Sequence, residues 1–547
     1  MNVKRDKMKK LYLEWVEKSK CEQELYDELI SVSNSEEEIS DRFYRELSFG
    51  TGGLRGKIGA GTNRMNVFTG GKATFGFGKY LNENYKSPSV VIAYDSRYKS
   101  RDFAFLSADI LSSLGIKTYV FNELTPTPVL SYAVRLYGAS GGIVITASHN
   151  PKEYNGYKVY NEHGCQITDG AAAEITSKIA EFGYFETYEP RAELIEVIYD
   201  EVYEKFLAEI AGLTVNKIDE AYAPKIVYTP LNGTGRRYVL GILDRIGVKD
   251  VVTVKEQEMP NSDFTTCPYP NPEEKEALTL ALRLAGECGA DILLATDPDA
   301  DRVGVAVREE TGEYRRLNGN ETGILLMNYL LSARSKNGTL GKGATVIKTI
   351  VTSDMAFELA KSYGAEVKEV LTGFKYIGEQ MDETDNFVMG LEESYGYLVG
   401  EHARDKDAVS AAMLVAEMCA YYKSEGKTLL DVLDTLYEKH GYFATHLKTV
   451  AYPGEAGMRA MSEVMERTRQ NPLKEINGTR VEFTDFSLGV DGLPSTNALR
   501  FRNDRLNIIL RPSGTEPKLK IYFQLKTSKE KAQKEIGELV EFMKGVI

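Results

Sequence analysis

Ser148 stands in the run Thr146-Ala147-Ser148-His149-Asn150-Pro151, directly after the apolar stretch Gly141 to Ile145. The stretch reads as a buried strand and Asn150-Pro151 as a turn. Ser148 is therefore expected at a strand-to-loop edge, where open α/β sheets hold their chemistry. A hydroxyl there has a rigid base and an exposed oxygen, which suits a nucleophile carrying a transferable group. No G-x-S-x-G elbow surrounds it, which argues against a hydrolase triad. Nor is His149 expected to act as base for its neighbour, because adjacent side chains on an extended segment point apart.

Asp297-Pro298-Asp299-Ala300-Asp301-Arg302 joins two apolar strands, Ile292 to Ala295 and Val303 to Val307. Three carboxylates at alternate positions in a tight loop repel one another unless a cation binds. All-oxygen ligands suit a hard cation, Mg²⁺ first. An EF-hand is excluded, since its sixth and twelfth positions are Arg302 and Arg308 here, not Gly and Glu. A solvated acidic turn is the alternative.

Arg511-Pro512-Ser513-Gly514-Thr515-Glu516-Pro517-Lys518 follows another strand. Arg511 offers a planar fork to a phosphate, and the next residues offer hydroxyl and backbone N–H donors. An ordinary Gly/Pro turn reads equally well. Gly50-Thr51-Gly52-Gly53-Leu54-Arg55-Gly56 fails the dinucleotide pattern at Arg55, and Gly71-Lys72 fails the Walker pattern at Asn66 and Ala73. Nucleotide binding is thus unsupported. The glycine-rich stretch reads as a flexible loop bringing Arg55 to a phosphate, or as a hinge or hairpin turn. Glu392-Glu393-Ser394-Tyr395-Gly396-Tyr397 has the carboxylate and hydroxyl mix that grips sugar hydroxyls, and Thr372-Gly373-Phe374-Lys375 supplies a cation. Taken alone, each is by default a polar surface loop. Together, a serine, an acidic metal loop, two arginine loops and no nucleotide motif suit phosphoryl transfer through the serine.

These loops need a scaffold. Residues 8–48 read as one or two amphipathic helices. A strand–helix–strand pattern then recurs three times. The strands Val90 to Tyr94, Lys225 to Tyr228 and Thr345 to Thr349 are each followed by a helical run: Phe103 to Leu114, Tyr238 to Ile246 and Met355 to Tyr363. The runs end at Gly115, Gly247 and Gly364, which suit left-handed C-caps. Short strands follow at Lys117 to Phe121, Asp250 to Val254 and Glu366 to Leu371. Three βαβ units with parallel crossovers are expected, one per α/β domain. Strands Arg480 to Phe483, Ala498 to Phe501, Arg505 to Leu510 and Leu519 to Leu525 alternate instead, and a helix follows Ser528. They form a separate α+β domain behind a linker expected around Thr445 to Gly454. The expected domains are 1–210, 211–325, 326–445 and 446–547.

At 547 residues the chain exceeds one core. Its net charge of −13 argues against nucleic acid or an anionic membrane as a partner. Five scattered cysteines without a C-x-x-C pair point to reduced thiols in a cytoplasmic protein. No signal peptide or membrane span is visible.

The serine, acidic, Glu392 to Gly396 and Arg511 to Pro517 loops resemble, in order and spacing, the four signature loops of the α-D-phosphohexomutases. The Phe49 to Gly56 stretch is similar to that of the longer bacterial members. The resemblance implies four domains around a central cleft, three related α/β domains and a C-terminal α+β domain. It implies that Ser148 is phosphorylated, and that Asp297, Asp299, Asp301 and an oxygen on Ser148 hold Mg²⁺. It implies exchange between glucose 1-phosphate and glucose 6-phosphate through glucose 1,6-bisphosphate. Arg511, Ser513, Gly514 and Thr515 would hold the distal phosphate; Glu392 and Ser394 would hold sugar hydroxyls. Arg55 and Lys158 would lie near the reacting phosphate, with Lys158 a candidate acid/base, and Arg302 would bind substrate. His149 would support the serine loop, and Lys375 and Lys406 would add positive potential, as would Arg404. Glu393-Ser394-Tyr395-Gly396 replaces the Met-Ser-Gly-His loop of members that use mannose phosphates, which favours glucose. Pentose or mannose phosphates, or a silent sugar-phosphate sensor, are the rival expectations.

Overall fold

The computed structural model describes residues 2–50, 52–490, 492–513 and 518–546. Three helices, Asn2–Lys18, Gln23–Ser31 and Glu36–Phe43, precede the first sheet, one more than expected. The extra break comes at Ser35, whose Oγ accepts from Glu38 N and starts a new helix. Trp15 packs edge-on against Phe43, Phe68, Tyr184 and Phe185, fixing this helical lead to the first α/β unit.

The first sheet contains β1 (Gly53–Lys57), β2 (Ser89–Tyr94), β3 (Lys117–Phe121), β4 (Gly141–Ile145), β5 (Tyr154–Asn161) and β6 (Ile195–Ile198). The second contains β7 (Ile226–Thr229), β8 (Val251–Thr253), β9 (Ile292–Thr296), β10 (Val303–Arg308) and β11 (Tyr314–Leu317). The third contains β12 (Thr345–Thr349), β13 (Glu366–Val370), β14 (Phe387–Glu392) and β15 (Gly396–Val399). One spatial order recurs in them: β5-β4-β2-β3, β10-β9-β7-β8 and β15-β14-β12-β13. In each, the first strand of the unit pairs parallel with the second and third, and the fourth returns antiparallel. The three βαβ units are therefore one architecture repeated. Their crossover helices are Ser100–Ser113, Gly235–Arg245 and Met355–Ser362. Gly115 after the first has φ +82, a conformation that favours glycine, and Gly247 and Gly364 repeat it. β4, β7, β9 and β12 are buried along their whole length, as expected of strands covered on both faces.

The last unit contains β16 (Tyr442–Ala451), the small hairpin β17 (Glu475–Ile476) and β18 (Thr479–Arg480), and β19 (Glu482–Asp485), β20 (Leu499–Arg502), β21 (Leu506–Pro512) and β22 (Lys518–Thr527). Its main sheet runs β16-β22-β21-β20-β19, all antiparallel. The segment expected as a linker is mostly strand: β16 pairs with β22 from Tyr442–Thr527 to Ala451–Lys518. It is an edge strand with half-exposed, partly charged side chains, so its alternation is faint in the sequence. The chain leaves the third unit instead at Gly441, φ +92.

A buried polar network docks this unit on the third. Lys348, fully buried, pairs with Asp354 at 3.1 Å and Glu369 at 2.7 Å. Arg500 and Arg502 from β20 reach the other oxygen of Glu369 at 3.2 and 3.4 Å. Gln524 Nε2 donates to Val351 O and Thr352 O at 2.9 and 3.0 Å.

Candidate active site

Each repeat returns to its antiparallel strand through a turn: 146–153, 297–302 and 393–395. These turns carry the serine, the three aspartates and the Glu393-Ser394-Tyr395 group. Each contains one non-glycine residue in the left-handed region: Ser148 (φ +52), Ala300 (φ +49) and Tyr395 (φ +66). The turns meet. Arg302 forms a β-bridge with Gly396, and Val303 N donates to Tyr395 O at 3.2 Å. Thr127 N, from the first unit, donates to Asp299 O at 2.9 Å.

Ser148 Oγ donates to Asp297 Oδ2 at 2.9 Å and lies 3.2 Å from His149 Nδ1. The expectation that these neighbours point apart is thus overturned. It assumed extended backbone, whereas the left-handed φ of Ser148 brings both side chains to one side. Burial, with Arg302 and Arg55 close by, holds His149 well below the ordinary imidazole range. The ring is neutral at pH 7.

The three aspartates are buried, and one oxygen from each falls within 4.8 Å of the others. Asp297 Oδ1 accepts from Asp301 N and Arg302 N, both at 3.1 Å. Asp299 Oδ2 accepts from Thr127 Oγ1 at 3.0 Å and Lys158 Nζ at 2.9 Å. Asp301 Oδ2 pairs with Lys406 Nζ at 3.0 Å. Burial, and then repulsion from Asp301 and Asp299, pushes Asp297 well above the usual carboxylate range. Burial acts the same way on Asp299, but Lys158 and Lys406 outweigh it and hold Asp299 below that range. Oδ1 of Asp299 and Oδ1 of Asp301 are buried without a hydrogen-bond partner. Such orphaned hard oxygens beside a third carboxylate fit a divalent cation.

Above the aspartates lies a cleft of about 570 Å³, walled by all four units. Arg55, Ser148, His149 and Lys158 line it from the first unit, Asp301 and Arg302 from the second, Glu392, Ser394 and Lys406 from the third, and Arg511 from the last. Arg55 is on no flexible loop. It sits on β1 opposite Gly156 of β5, with Nη1 donating to Asn150 Oδ1 at 3.4 Å. The Glu392 to Tyr397 segment is a buried hairpin, not a surface loop. Glu392 Oε1 accepts from Gly373 N at 3.0 Å. Burial pushes its carboxyl up to about 7, against the pull of Lys406 and Arg302.

Lys375 is not brought to this wall; its Nζ pairs with Asp169 at 2.9 Å. Arg404 likewise turns to Asp382, at 2.9 Å. Ser513 N donates to Lys518 O at 2.8 Å, while Gly514 and Thr515 lie outside the described residues. The cleft also contains groups that motif reading missed. Lys520 stands opposite Arg511 across β21 and β22, so the two cations share a face. The alternation of that strand beside the Arg511 loop was the available signal. His446 enters from β16, hidden by its reading as a linker. Thr127, in the helix between β3 and β4 and 172 residues before Asp299, has no local signal at all.

The chain matches four domain families in order, described as phosphoglucomutase/phosphomannomutase alpha/beta/alpha domain I (46–184), domain II (201–312), domain III (318–440) and C-terminal domain (462–541). It is 37% identical over 543 residues to a phosphoglucomutase of Staphylococcus saprophyticus, covering 95% of this chain and 96% of that one. It is 36% identical over 516 residues to a phosphoglucomutase of Staphylococcus aureus, covering 90% and 92%. In fold it is similar to a phosphoglucomutase/phosphomannomutase family protein of Burkholderia thailandensis, with a TM-score of 0.69 at 18% identity, covering 91% and 97% of the two chains. It is equally similar to the open form of parafusin, a phosphoglucomutase of Paramecium, with a TM-score of 0.69 at 19% identity, covering 92% and 94%.

Proposed function

Because this chain belongs to the phosphoglucomutase/phosphomannomutase family, the α-D-phosphohexomutases, we propose that it interconverts glucose 1-phosphate and glucose 6-phosphate through a phosphoryl group carried on Ser148. The observation that carries the reading is Ser148 Oγ, 2.9 Å from Asp297, at the base of a cleft walled by cations and sugar-type acceptors.

The serine P–O bond breaks as the sugar 6-hydroxyl forms its own bond to phosphorus, giving glucose 1,6-bisphosphate. The bisphosphate turns round and returns its 1-phosphoryl group to Ser148, releasing glucose 6-phosphate. Lys158 is the candidate acid/base. Burial opposes its charge, but Asp299 and Asp301 overcome burial and keep it protonated at rest. It would therefore give its proton to the departing oxygen and recover one from the attacking hydroxyl, leaving the proton count unchanged in each transfer. Arg55 and Arg302 flank the reacting phosphate. Arg511, Lys520 and the Ser513-Gly514-Thr515 segment hold the other. Glu392 and Ser394 hold sugar hydroxyls, and neutral His149 braces the serine. Asp297, Asp299 and Asp301, with the Ser148 side chain beside them, would hold Mg²⁺. A dication there neutralises charge that develops on the phosphoryl oxygens. Closure of the last unit over the sugar would exclude water, which otherwise competes for the phosphoryl group.

Among the described residues no helix is long and apolar enough to cross a membrane. Free sugar phosphates in the cytoplasm are the proposed partners.

A coupled mutase assay tests the reading, with glucose 1-phosphate, mannose 1-phosphate and ribose 1-phosphate and a trace of sugar bisphosphate. Turnover is expected to be highest on glucose 1-phosphate. Intact-protein mass should show one phosphoryl group on the wild type and none on Ser148→Ala. A Ser148→Ala variant with full mutase activity would sink the mechanism.

A further inference from the structure

The loop after β2, Asp95-Ser96-Arg97, lies behind the serine turn, outside the cleft wall. Arg97 is buried, and its terminal N–H groups meet three backbone carbonyls of that turn and the first carbonyl of β5. Nη2 donates to Ser148 O and Asn150 O, both at 2.5 Å, and Nη1 donates to Pro151 O at 2.8 Å and Tyr154 O at 3.1 Å. Nε faces Asp95 Oδ2 at 3.3 Å. Asp95 is itself held, because its Oδ1 accepts from Arg97 N at 2.9 Å and Ser100 Oγ at 2.7 Å. The buried ring of Phe264, from the second unit, covers the guanidinium 5.1 Å away.

The other repeats hold their turns from the same place with less. Thr234, after β7, donates from N and Oγ1 to Pro298 O at 2.8 and 3.0 Å. Thr352, after β12, donates from Oγ1 to Leu391 O near the end of β14 at 3.5 Å and to the Glu393 side chain of its turn at 3.4 Å. The serine turn, 146–153, is the longest of the three. A planar guanidinium presents its five donors in a fixed fork, whereas an ammonium presents three from one point. Drawing the carbonyls of residues 148, 150 and 151 inward keeps Ser148 left-handed, with Oγ facing Asp297 and the cleft.

With Ser148 as the group that carries the phosphoryl, we infer that Arg97 is its positioning residue: the guanidinium, oriented by Asp95, holds the serine turn in the geometry that phosphoryl transfer needs and never touches substrate. Loss of the fork lets the turn relax. A misplacement of about 1 Å at a reacting atom costs on the order of 100-fold in rate.

The test uses Arg97→Lys and Asp95→Asn in the full chain, with Ser148→Ala alongside. Folded Arg97→Lys is expected to lose about 100-fold in kcat with KM within about threefold of wild type. Amide exchange over residues 147–151 should quicken while the rest of the first unit is unchanged. Asp95→Asn should lose about tenfold in kcat, again at near-constant KM. Wild-type kcat in a folded variant, a loss seen only in KM, or unaltered exchange over 147–151 overturns the assignment. Where Arg97→Lys does not fold, Asp95→Asn decides by the same criteria. Activity surviving in Ser148→Ala would instead remove the phosphoserine reading, so the two failures are separable.

Discussion

If Glu392 holds sugar hydroxyls as proposed, its burial couples stability to substrate binding, and Glu392→Gln separates the two. Burial raises this carboxyl from the ordinary 4.5 to about 7, so the folded chain binds a proton in that window that the unfolded chain has lost. Stability must therefore fall as pH rises from about 4.5 to 7, and the full penalty stands above 7. At 1.36 kcal/mol per pH unit the penalty is about 3 kcal/mol, with the attraction of Lys406 and Arg302 already included. Glutamine keeps the shape and the acceptor for Gly373 N but cannot ionise. At pH 8 the variant should gain most of that energy, and at pH 5 about a quarter of it. Calorimetry should show the transition of the third unit raised by roughly 5–10 °C at pH 8 and by only about 2 °C at pH 5. Activity should move the other way. A charge-assisted hydrogen bond to a sugar hydroxyl is worth about 1.5–3 kcal/mol, so KM should rise roughly 10- to 100-fold. Wild-type KM should also climb below pH 7 as the carboxylate protonates, and that limb should vanish in the variant. Titration of the substrate phosphate is common to both proteins, so the difference isolates Glu392. Equal unfolding temperatures for the two proteins from pH 5 to 8.5 would refute the burial argument.

Two further expectations follow from the buried charges. Dialysis against a chelator should abolish turnover, and Mg²⁺ should restore it and raise the unfolding temperature by saturating a site with two orphaned carboxylate oxygens, by about 2.7 kcal/mol at 100 times Kd; unchanged turnover after chelation contradicts the cation site. Glu369→Gln strips Lys348, Arg500 and Arg502 of a shared partner and should cost about 3–5 kcal/mol, read as earlier melting or release of the last unit by calorimetry and limited proteolysis. In the wild type Lys348 and the two arginines hold Glu369 below its ordinary range despite burial, so that contribution is present at neutral pH and fades only as acid titrates the carboxyl.

What could be read in advance was whatever a short segment dictates. Ser148 and the three aspartates lie in contiguous motifs between apolar runs, and both motifs reach the cleft. Gly115, Gly247 and Gly364 mark the repeat because a left-handed C-cap selects glycine whatever packs around it. What failed needed either unusual backbone or partners distant in sequence. The contact between His149 and Ser148 depends on one positive φ, and residue type alone does not announce it. Lys375 is drawn to Asp169, more than two hundred residues earlier, and leaves the cleft. β16 was missed because an edge strand shows water as much as core and so loses its alternation.

The three repeats share a backbone plan and differ in their turns, and that follows from how the site is built. Strand order and cap geometry are backbone requirements and persist in all three. The hairpin turns lie at equivalent places, and each has one residue forced to positive φ, yet their lengths fall from 146–153 to 297–302 to 393–395. The turns differ in what they carry: Ser148 in the first, three aspartates in the second and Glu393-Ser394-Tyr395 in the third. The loop after the first strand of each unit then touches its turn, a guanidinium on the carbonyls of the longest, Thr234 on Pro298 O of the second and Thr352 on the Glu393 side chain of the third. A duplicated scaffold aims three unlike loops at one point without inventing three folds. The last unit, with Arg511 and Lys520 on neighbouring strands, is not a repeat and is docked through the Lys348 network. That division suits the proposed bisphosphate: its reacting end would meet the turns of the repeat, while its distal phosphate would be held by a unit outside the repeat.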